Sequence, residues 1–513
     1  MKRFDKGYLF YHLLTDLFLA VFFGFAFLDE VFLTNEEGEL LGLQGEAILP
    51  FFLIVGVAYL LLCGYRALYL YRSGYTLGEN EILCRRGAFF NKRSHLEYRR
   101  ANAINKKQNL LHRLFGIAVL TVDSGATTQA AAAEITVVEK SAIVDALMRE
   151  VKARQKGESS PSAEEEGKAA EEVLFQEGEG LYAFSKTKKL LYALVNLASA
   201  AFYTLIFALL AIVAVSLFVA ILSKAGAPST ALATVAVVAV IVLLAIALLT
   251  FLTSLLQSFV GYYGFRVRKT GEEIEISYGL FVKSVNTFRL DRIKGVRIQA
   301  GLIERLFGLC SIRLEVVGYG FEGSGESGEE AAGIGLLVPL CEKGEVGAIL
   351  SRLLPAFMPD EPCVRPPSLA PFLCWPQLLL AIFTLLPMGL TVGLMAILGA
   401  PSRATLLVFL LFLLAYGFLA VFLAVSRILC YKNGGLAVKD GRITVYGGGF
   451  QKSAVVFNKR SFVALEKRAT PLQEKAGISS AVLHFYTNAA TNEVKSLHLA
   501  KKDISLLEEE LTV

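Results

Sequence analysis

The chain has 513 residues, 54% of them hydrophobic, with 51 Lys and Arg against 46 Asp and Glu. A net charge of only +5 argues against a nucleic-acid reader, which would show a strongly basic domain with a recognisable motif. Seven cysteines (63, 84, 310, 341, 363, 374 and 430) show neither close pairing nor C-x-x-C spacing, which excludes a disulfide framework or a zinc finger and predicts free thiols.

In chain order, six apolar runs are long enough to cross a bilayer, which takes roughly 20 helical residues. They are 8–28, 47–69, 190–222, 231–260, 372–398 and 404–428. The first lacks a small-residue cleavage site and is closely followed by a second, so it is read as a span rather than a signal peptide. Lys2, Arg3 and Lys6 precede the first span, and Arg66 and Arg72 close the second, whereas the loop 29–46 between them holds six acids and no base. Lys186, Lys188, Lys189, Arg266, Arg268, Lys269, Arg427 and Lys432 repeat this bias, with Arg403 dissenting. Basic residues mark the cytoplasmic side, so both termini and the soluble parts are expected there.

Each pair of spans is followed by strand-rich soluble sequence, and the three copies share a register. A glycine ending one strand is followed 29 positions later by another: Gly87 and Gly116, Gly279 and Gly308, Gly448 and Gly477. Before the second glycine the copies read Leu111-His112-Arg113-Leu114-Phe115, Ile303-Glu304-Arg305-Leu306-Phe307 and, more loosely, Leu472-Gln473-Glu474-Lys475-Ala476. A repeat of this kind must be recognised before a fold is assigned.

Turns at 78–80, 270–272 and Lys439-Asp440-Gly441 predict opening hairpins. Further strand is expected over 284–298 and 453–465. A second hairpin is expected in each copy: 117–123 with 134–138, 311–317 with 334–338, and 481–486 with 494–499. Closing helices are expected at 141–152, 342–354 and 501–511. Ile143, Ala146, Leu147 and Val151 would form the first apolar stripe, and Ile349, Leu350, Leu353 and Leu354 the second. The expected division is 1–74 hairpin, 75–155 domain, 156–180 acidic flexible linker, 181–264 hairpin, 265–356 domain, 357–430 proline-rich linker and hairpin, and 431–513 divergent domain.

Membrane hairpin, strand ending in Gly, Lys/Arg-rich middle, Arg-Leu-Phe-Gly, strand pair and end helix: this order resembles the bacterial PH-like domain family of membrane proteins. Three copies are similar to its YdbT-type members. The resemblance covers nearly the whole chain and weakens in the third copy, where Arg-Leu-Phe is lost and Pro471 intervenes. It implies an α+β membrane protein with six transmembrane helices in three hairpins. Each hairpin is followed by a cytoplasmic PH-like β-sandwich or split barrel with a C-terminal capping helix. It further implies a non-enzymatic inner-membrane scaffold in envelope-stress defence or resistance to membrane-active bacteriocins, acting with a shorter PH-like membrane protein as hetero-oligomer.

The candidate headgroup contacts are Arg85, Arg86, Lys92, Arg93, Arg99, Arg100, Lys106 and Lys107 in the first copy, and Arg289, Arg292, Lys294 and Arg297 in the second. Basic residues beside an anionic leaflet gain on the order of 1 kcal/mol each. The bland reading is that loops next to spans are basic for orientation. The density of the first cluster, nine bases and one acid over 85–113, exceeds what orientation needs.

His12 and Asp16 are four apart in the first span and share a helix face. Intramembrane ionisable groups are costly, so they are either functional or hydrogen-bonded to another helix. They support the rival reading of a lipid or peptide transporter with a path between the hairpins. Arg66 is expected to snorkel as an anchor, and Trp375 to sit at the interface. Ala198–Ala201, Gly389 and Gly393 would permit close helix approach.

Gly318-Tyr-Gly-Phe-Glu-Gly323 matches a dinucleotide fingerprint but precedes strand, not helix, and is read as a hairpin loop. The five histidines (12, 95, 112, 484 and 498) lack metal spacing, and no P-loop or nucleophile elbow occurs. No cofactor and no enzymatic activity are expected.

Overall fold

The computed structural model describes residues 2–31, 48–123, 135–156, 180–183, 187–196, 257–316, 335–369, 402–485 and 493–512, with parts of 237–253 and 377–393. The fingerprint-like loop 318–323, Ala198–Ala201, Trp375, Cys374 and nearly all of the acidic linker lie outside the described residues. So do most of the third apolar run and parts of the fourth and fifth. Among the described residues one helical stretch, Leu53–Arg72, is long and apolar enough to cross a membrane, so the expected six are not established.

The chain divides into two compact units, Met1–Glu179 with Arg268–Leu290, and Gly180–Val267 with Asp291–Val513. The cut runs through the second repeat, and the sheet topology gives the reason.

In the first unit, β1 (Lys2–Arg3) precedes helices α1 (Gly7–Val31) and α2 (Ile48–Arg72). Then come β2 (Gly74–Leu77), β3 (Glu81–Arg86), β4 (Lys92–Glu97), β5 (Ala103–Gln108), the short α3 (Leu110–Leu114), β6 (Ile117–Asp123), β7 (Ile135–Lys140) and α4 (Ser141–Lys156). One sheet has the order β1-β2-β3-β4. Ile82, Leu96, Ile104, Leu120, Val122 and Val137 join in one core cluster with Val144, Leu147 and Val151 of α4. The α4 stripe is therefore Val144, Leu147, Met148 and Val151, with Ile143 only packed against its margin, one position off the expected set. Each fully buried aliphatic contributes roughly 1.5–3 kcal/mol, so this stripe fixes the helix as the cap of the sandwich.

The other sheet runs past its own repeat. β5 pairs not with β4 but with β11 (Lys283–Arg289), which pairs with β10 (Glu273–Tyr278) and through it β9 (Arg266–Thr270). The opening hairpin of the second repeat thus extends the closing sheet of the first. Side chains alternate across a strand, so Ile104 faces the first repeat's core while Ala103, its neighbour, is opposite Phe288 on the reverse face.

The second unit repeats the design. β8 (Gly180–Ala183) leads in, and β12 (Ile293–Ala300), α5 (Leu302–Leu306), β13 (Leu309–Val316), β14 (Leu336–Glu342) and α6 (Glu345–Leu353) complete the second repeat. The long helix α7 (Ser402–Asn433) is followed by β15 (Gly435–Lys439), β16 (Arg442–Gly447), β17 (Lys452–Asn458), β18 (Phe462–Arg468), α8 (Pro471–Lys475), β19 (Ile478–Phe485), β20 (Glu493–Ala500) and α9 (Lys501–Thr512). The sheet order is β14-β13-β12-β17-β16-β15, faced by β18-β19-β20. Phe457 and Phe485 stack at 3.7 Å within a core that includes Leu436, Val455, Leu483, Leu499, Ile504 and Leu507. In α6 the buried set is Val346, Leu350 and Leu353, which adds Val346 and leaves Ile349 half-buried.

Three expectations change. The stretches 284–298 and 453–465 are not continuous strands: 3-10 turns at Leu290–Arg292 and Lys459–Ser461 break them, and the two halves belong to different sheets. Hydrophobic patterning cannot reveal such a break, because both halves are strand. The proline-rich linker, read from its sequence only as an extended connection, is pinned to the third repeat, with Val364 bridging Leu436 and Asp360 paired with Arg442 at 3.2 Å. Cys310 and Cys341, 31 apart in sequence, are opposed in the β13–β14 register with sulfurs 3.6 Å apart, both as free thiols.

The two glycines that mark the register have different jobs. Gly87, Gly279 and Gly448 have φ of +129°, +105° and +97°. A Cβ on any of them would meet the carbonyl oxygen three residues on at 1.8–1.9 Å. Gly116, Gly308 and Gly477 follow the short helices at φ +66° to +68°, with open space around them. There glycine supplies only the left-handed conformation of a helix stop. Those short helices share an N-terminal cap. The side chains of His112, Glu304 and Gln473 accept the backbone N–H of Asn109 at 3.4 Å, Gly301 at 2.6 Å and Thr470 at 2.8 Å. Three unlike residues at one position perform the same capping-box function.

Candidate membrane-facing site

The turn between β3 and β4 carries an unusual concentration of charge and apolar surface. Register places Arg85 opposite Arg93 and Arg86 opposite Lys92. Like charges directly across an antiparallel pair are destabilising, so this block costs stability unless an anion neutralises it. At its tip Phe89 is 70% and Phe90 93% exposed.

The turn sits against the α1–α2 hairpin. Arg72 at the end of α2 donates to the carbonyl of Ala88 at 2.7 Å, and Phe89 stacks on Tyr65 with centroids 6.1 Å apart. Tyr65 lies seven residues before Arg72, about 10 Å up the helix at 1.5 Å per residue. In the third repeat Phe450 packs on Phe422 of α7 at 4.5 Å. The motif Gly-x-Phe recurs as Gly87-Ala88-Phe89, Gly279-Leu280-Phe281 and Gly448-Gly449-Phe450. That recurrence was the available signal for these phenylalanines, which charge counting passes over.

The short α3 lies beside α1. Tyr11 contacts His112 at 4.3 Å and Phe10 contacts Phe115 at 6.5 Å. Leu110 and Leu114 stay exposed, as do Leu306 and Phe307 of the second repeat.

The expected basic set divides. Arg85 (held by Asn91 at 3.3 Å), Arg86, Lys92, Arg93, Arg99 and Arg100 cluster on β3, β4 and the turn after it, with Arg100 paired to Glu97 at 3.1 Å. Lys92, Arg93 and Arg99 are exposed. Lys106 is bound to Asp145 at 2.6 Å and Ser141 at 2.9 Å on α4, its side chain 14% exposed, so it ties the capping helix to the sheet. Half-buried Lys107 lies near His112, whose pKa it helps to lower. Arg297 pairs at 2.6 Å with Glu315, which is 4% exposed. Arg292 pairs with Asp291 at 3.5 Å, Lys294 reaches the Asp291 carbonyl at 3.0 Å, and Arg289 is half-buried at the end of β11. Arg292, Lys294 and Arg297 of the second-repeat quartet are thus engaged within their own repeat, and the first-repeat cluster is the candidate site.

Asp16 and His12 do different things. Asp16 pairs with Arg66 at 3.2 Å across the hairpin, which Tyr59 supports by donating to the Leu13 carbonyl at 3.1 Å. Arg66, expected as an anchor, instead locks α1 to α2. His12 packs edge-on against Tyr8 at 4.4 Å, part of an aromatic column leading through Tyr11 to His112.

His112 gives a pH prediction. Its Nδ1 accepts the Asn109 N–H, so the cap requires a neutral ring. Burial, and then Lys107, hold its pKa below the usual histidine range. The unfolded chain therefore takes up the proton first on acidification. The stability conferred by the cap is present above about pH 6.5 and is lost as pH falls through that value toward the folded pKa. Thermal melts of the purified protein should lose stability between about pH 7.5 and 5.5. His112→Gln, which supplies the acceptor that Gln473 uses, should reduce that slope; an unchanged slope would count against the cap.

A family model described as Bacterial PH domain matches residues 25–154 and 192–353, more than half of the chain. The UPF0699 transmembrane protein YdbT of Bacillus subtilis (strain 168) is similar at 23% identity over 209 residues, which covers 40% of this chain and 36% of that protein. The matched part thus spans about a third of that relative's length. No solved structure matches the chain.

Proposed function

The chain belongs to the bacterial PH domain family, and on that premise we propose that it is a multi-pass scaffold whose first repeat rests on the anionic inner leaflet. Three hairpins cross the membrane, and both termini and all repeats lie on the cytoplasmic side. The arrangement is non-enzymatic. The observation that carries this reading is the like-charged Arg85–Arg93 and Arg86–Lys92 pairs, opposed across the β3–β4 hairpin beside exposed Phe89 and Phe90 and held against α2. Phosphate headgroups offset the facing like charges, and the aromatic tip enters the headgroup–acyl boundary, as amphipathic membrane-surface elements do.

The test is a single-tryptophan reporter. Phe90→Trp in a Trp375→Phe background, reconstituted in bilayers containing phosphatidylglycerol, should give blue-shifted emission quenched by tail-brominated lipid. Emission quenched by aqueous iodide and not by brominated lipid would sink the proposal. Arg85→Gln, Arg86→Gln, Lys92→Gln and Arg93→Gln together should lower co-purifying anionic lipid at least severalfold, at on the order of 1 kcal/mol per charge.

The cellular role proposed is envelope defence against membrane-active bacteriocins, alongside a shorter PH-like membrane protein; family resemblance alone supports it. Deletion that leaves sensitivity to cyclic cationic peptides unchanged would refute it. The transporter reading is weaker, because Asp16 is already engaged by Arg66 rather than free to carry a proton or ion.

A further inference from the structure

Two junctions join successive repeats, and they share one register. With the repeats aligned on their marker glycines, Gln108 opposite Lys283 in the first junction is equivalent to Ala300 opposite Lys452 in the second. At the other end Ala103 opposite Phe288 is equivalent to Gly295 opposite Phe457, a small residue facing a large ring each time. A clamp also repeats. Arg113 donates to the Leu280 carbonyl at 3.2 Å, and Arg305 to the Gly449 carbonyl at 3.0 Å. The arginine of the Arg-Leu-Phe-Gly motif thus grips the Gly-x-Phe turn of the repeat that follows.

Each junction consumes one edge of either kind, which leaves two open among the described residues: β4, paired only with β3, and β18, paired only with β19. They are halves of a third junction. Its register would set Ala464 opposite Leu96, keeping the small-to-large fit. It would also set Lys467, paired with Glu508 at 2.5 Å, opposite exposed Arg93, and Arg468, paired with Glu466 at 2.6 Å, opposite exposed Lys92. The clamp position in the third repeat is Glu474, whose carboxylate would face the Ala88 carbonyl, acceptor against acceptor.

We propose that these mismatches terminate the array: β18 of one copy has the backbone to receive β4 of a second copy, and charge prevents it. A heterologous contact of this sort would otherwise propagate from copy to copy, and charged residues on edge strands are the usual protection. The second copy is the occupant being refused, because it is the chain that brings the repeated register and the Ala464–Leu96 fit. The proposal rests on sheet pairing and not on the lipid reading.

The test uses the full-length protein in detergent, with mass measured by light scattering. Wild type should run as a single copy. Lys92→Glu with Arg93→Glu should associate with rising concentration, and adding Glu474→Arg should strengthen association. Lys467→Glu with Arg468→Glu should independently do the same. Reversing both edges together should restore the single copy, because like charges face again. Asn91→Cys with Ala469→Cys, opposite in the expected register, should cross-link in the associating variants and not in wild type, with each single-cysteine variant as control. Charge-reversed edges that stay single, or wild type that cross-links through these positions, overturn the proposal.

Discussion

Gly87→Ala should unfold or severely loosen the first repeat, whereas Gly116→Ala, 29 residues later, should be tolerated. The two share a positive φ and differ in surroundings. At Gly87 a Cβ would stand 1.8 Å from the Phe90 oxygen, so the turn must open, and with it the β3–β4 register. Strain of roughly 1–3 kcal/mol combines with overpacking of typically 1–3 kcal/mol. Against a domain stability of about 5–15 kcal/mol that is a large share. At Gly116 nothing lies within 4 Å, so only the left-handed penalty of about 1–2 kcal/mol applies. Urea or thermal unfolding of both variants checks this, and equal losses would show that the turn relaxes. Gly279 and Gly448, with the same crowding, should behave like Gly87.

Asp16→Ala should destabilise the first hairpin by roughly 3–5 kcal/mol, the usual result of leaving one member of a shielded ion pair without its partner. Asp16 and Arg66 are 16% and 32% exposed. Asp16→Ala with Arg66→Ala should recover part of the loss, because the stranded charge is then gone. Hydrogen exchange or thermal melting in detergent reads both. The same pair separates the functional readings. Asp16→Asn keeps a hydrogen-bonding group for Arg66 and should leave a scaffold's assembly nearly intact, whereas a transporter that relies on the carboxylate would lose activity.

These residues were legible to unequal degrees. Asp16 was visible because an acid in an apolar run is conspicuous, but its partner was 50 residues away and helix periodicity does not reach across a hairpin. The strand ends at Gly87 and Gly116, the hairpin 117–123 and the three closing helices followed from alternation, turn residues and apolar stripes, which are local properties. The basic cluster was visible as composition, yet composition could not separate Lys106, bound to Asp145, from exposed Lys92 and Arg93. That distinction depends on which strand neighbours α4. The exposure of Phe89 and Phe90 is decided by the turn, which places them outside the sandwich.

The sequence by itself determined the repeat, its register and the boundaries of most strands, because local propensity and glycine conformation are written residue by residue. It also carried the arginine of Arg-Leu-Phe-Gly and its loss in the third repeat. Only the tertiary structure decided what that arginine does and where one sheet ends and the next begins. Lys283 opposite Gln108 and Lys452 opposite Ala300 are pairings across more than 150 residues. A strand edge satisfies its backbone groups with any strand of suitable register. The choice of neighbour is therefore made by side-chain fit and by charge at the edge, neither of which exists until the sheets are formed.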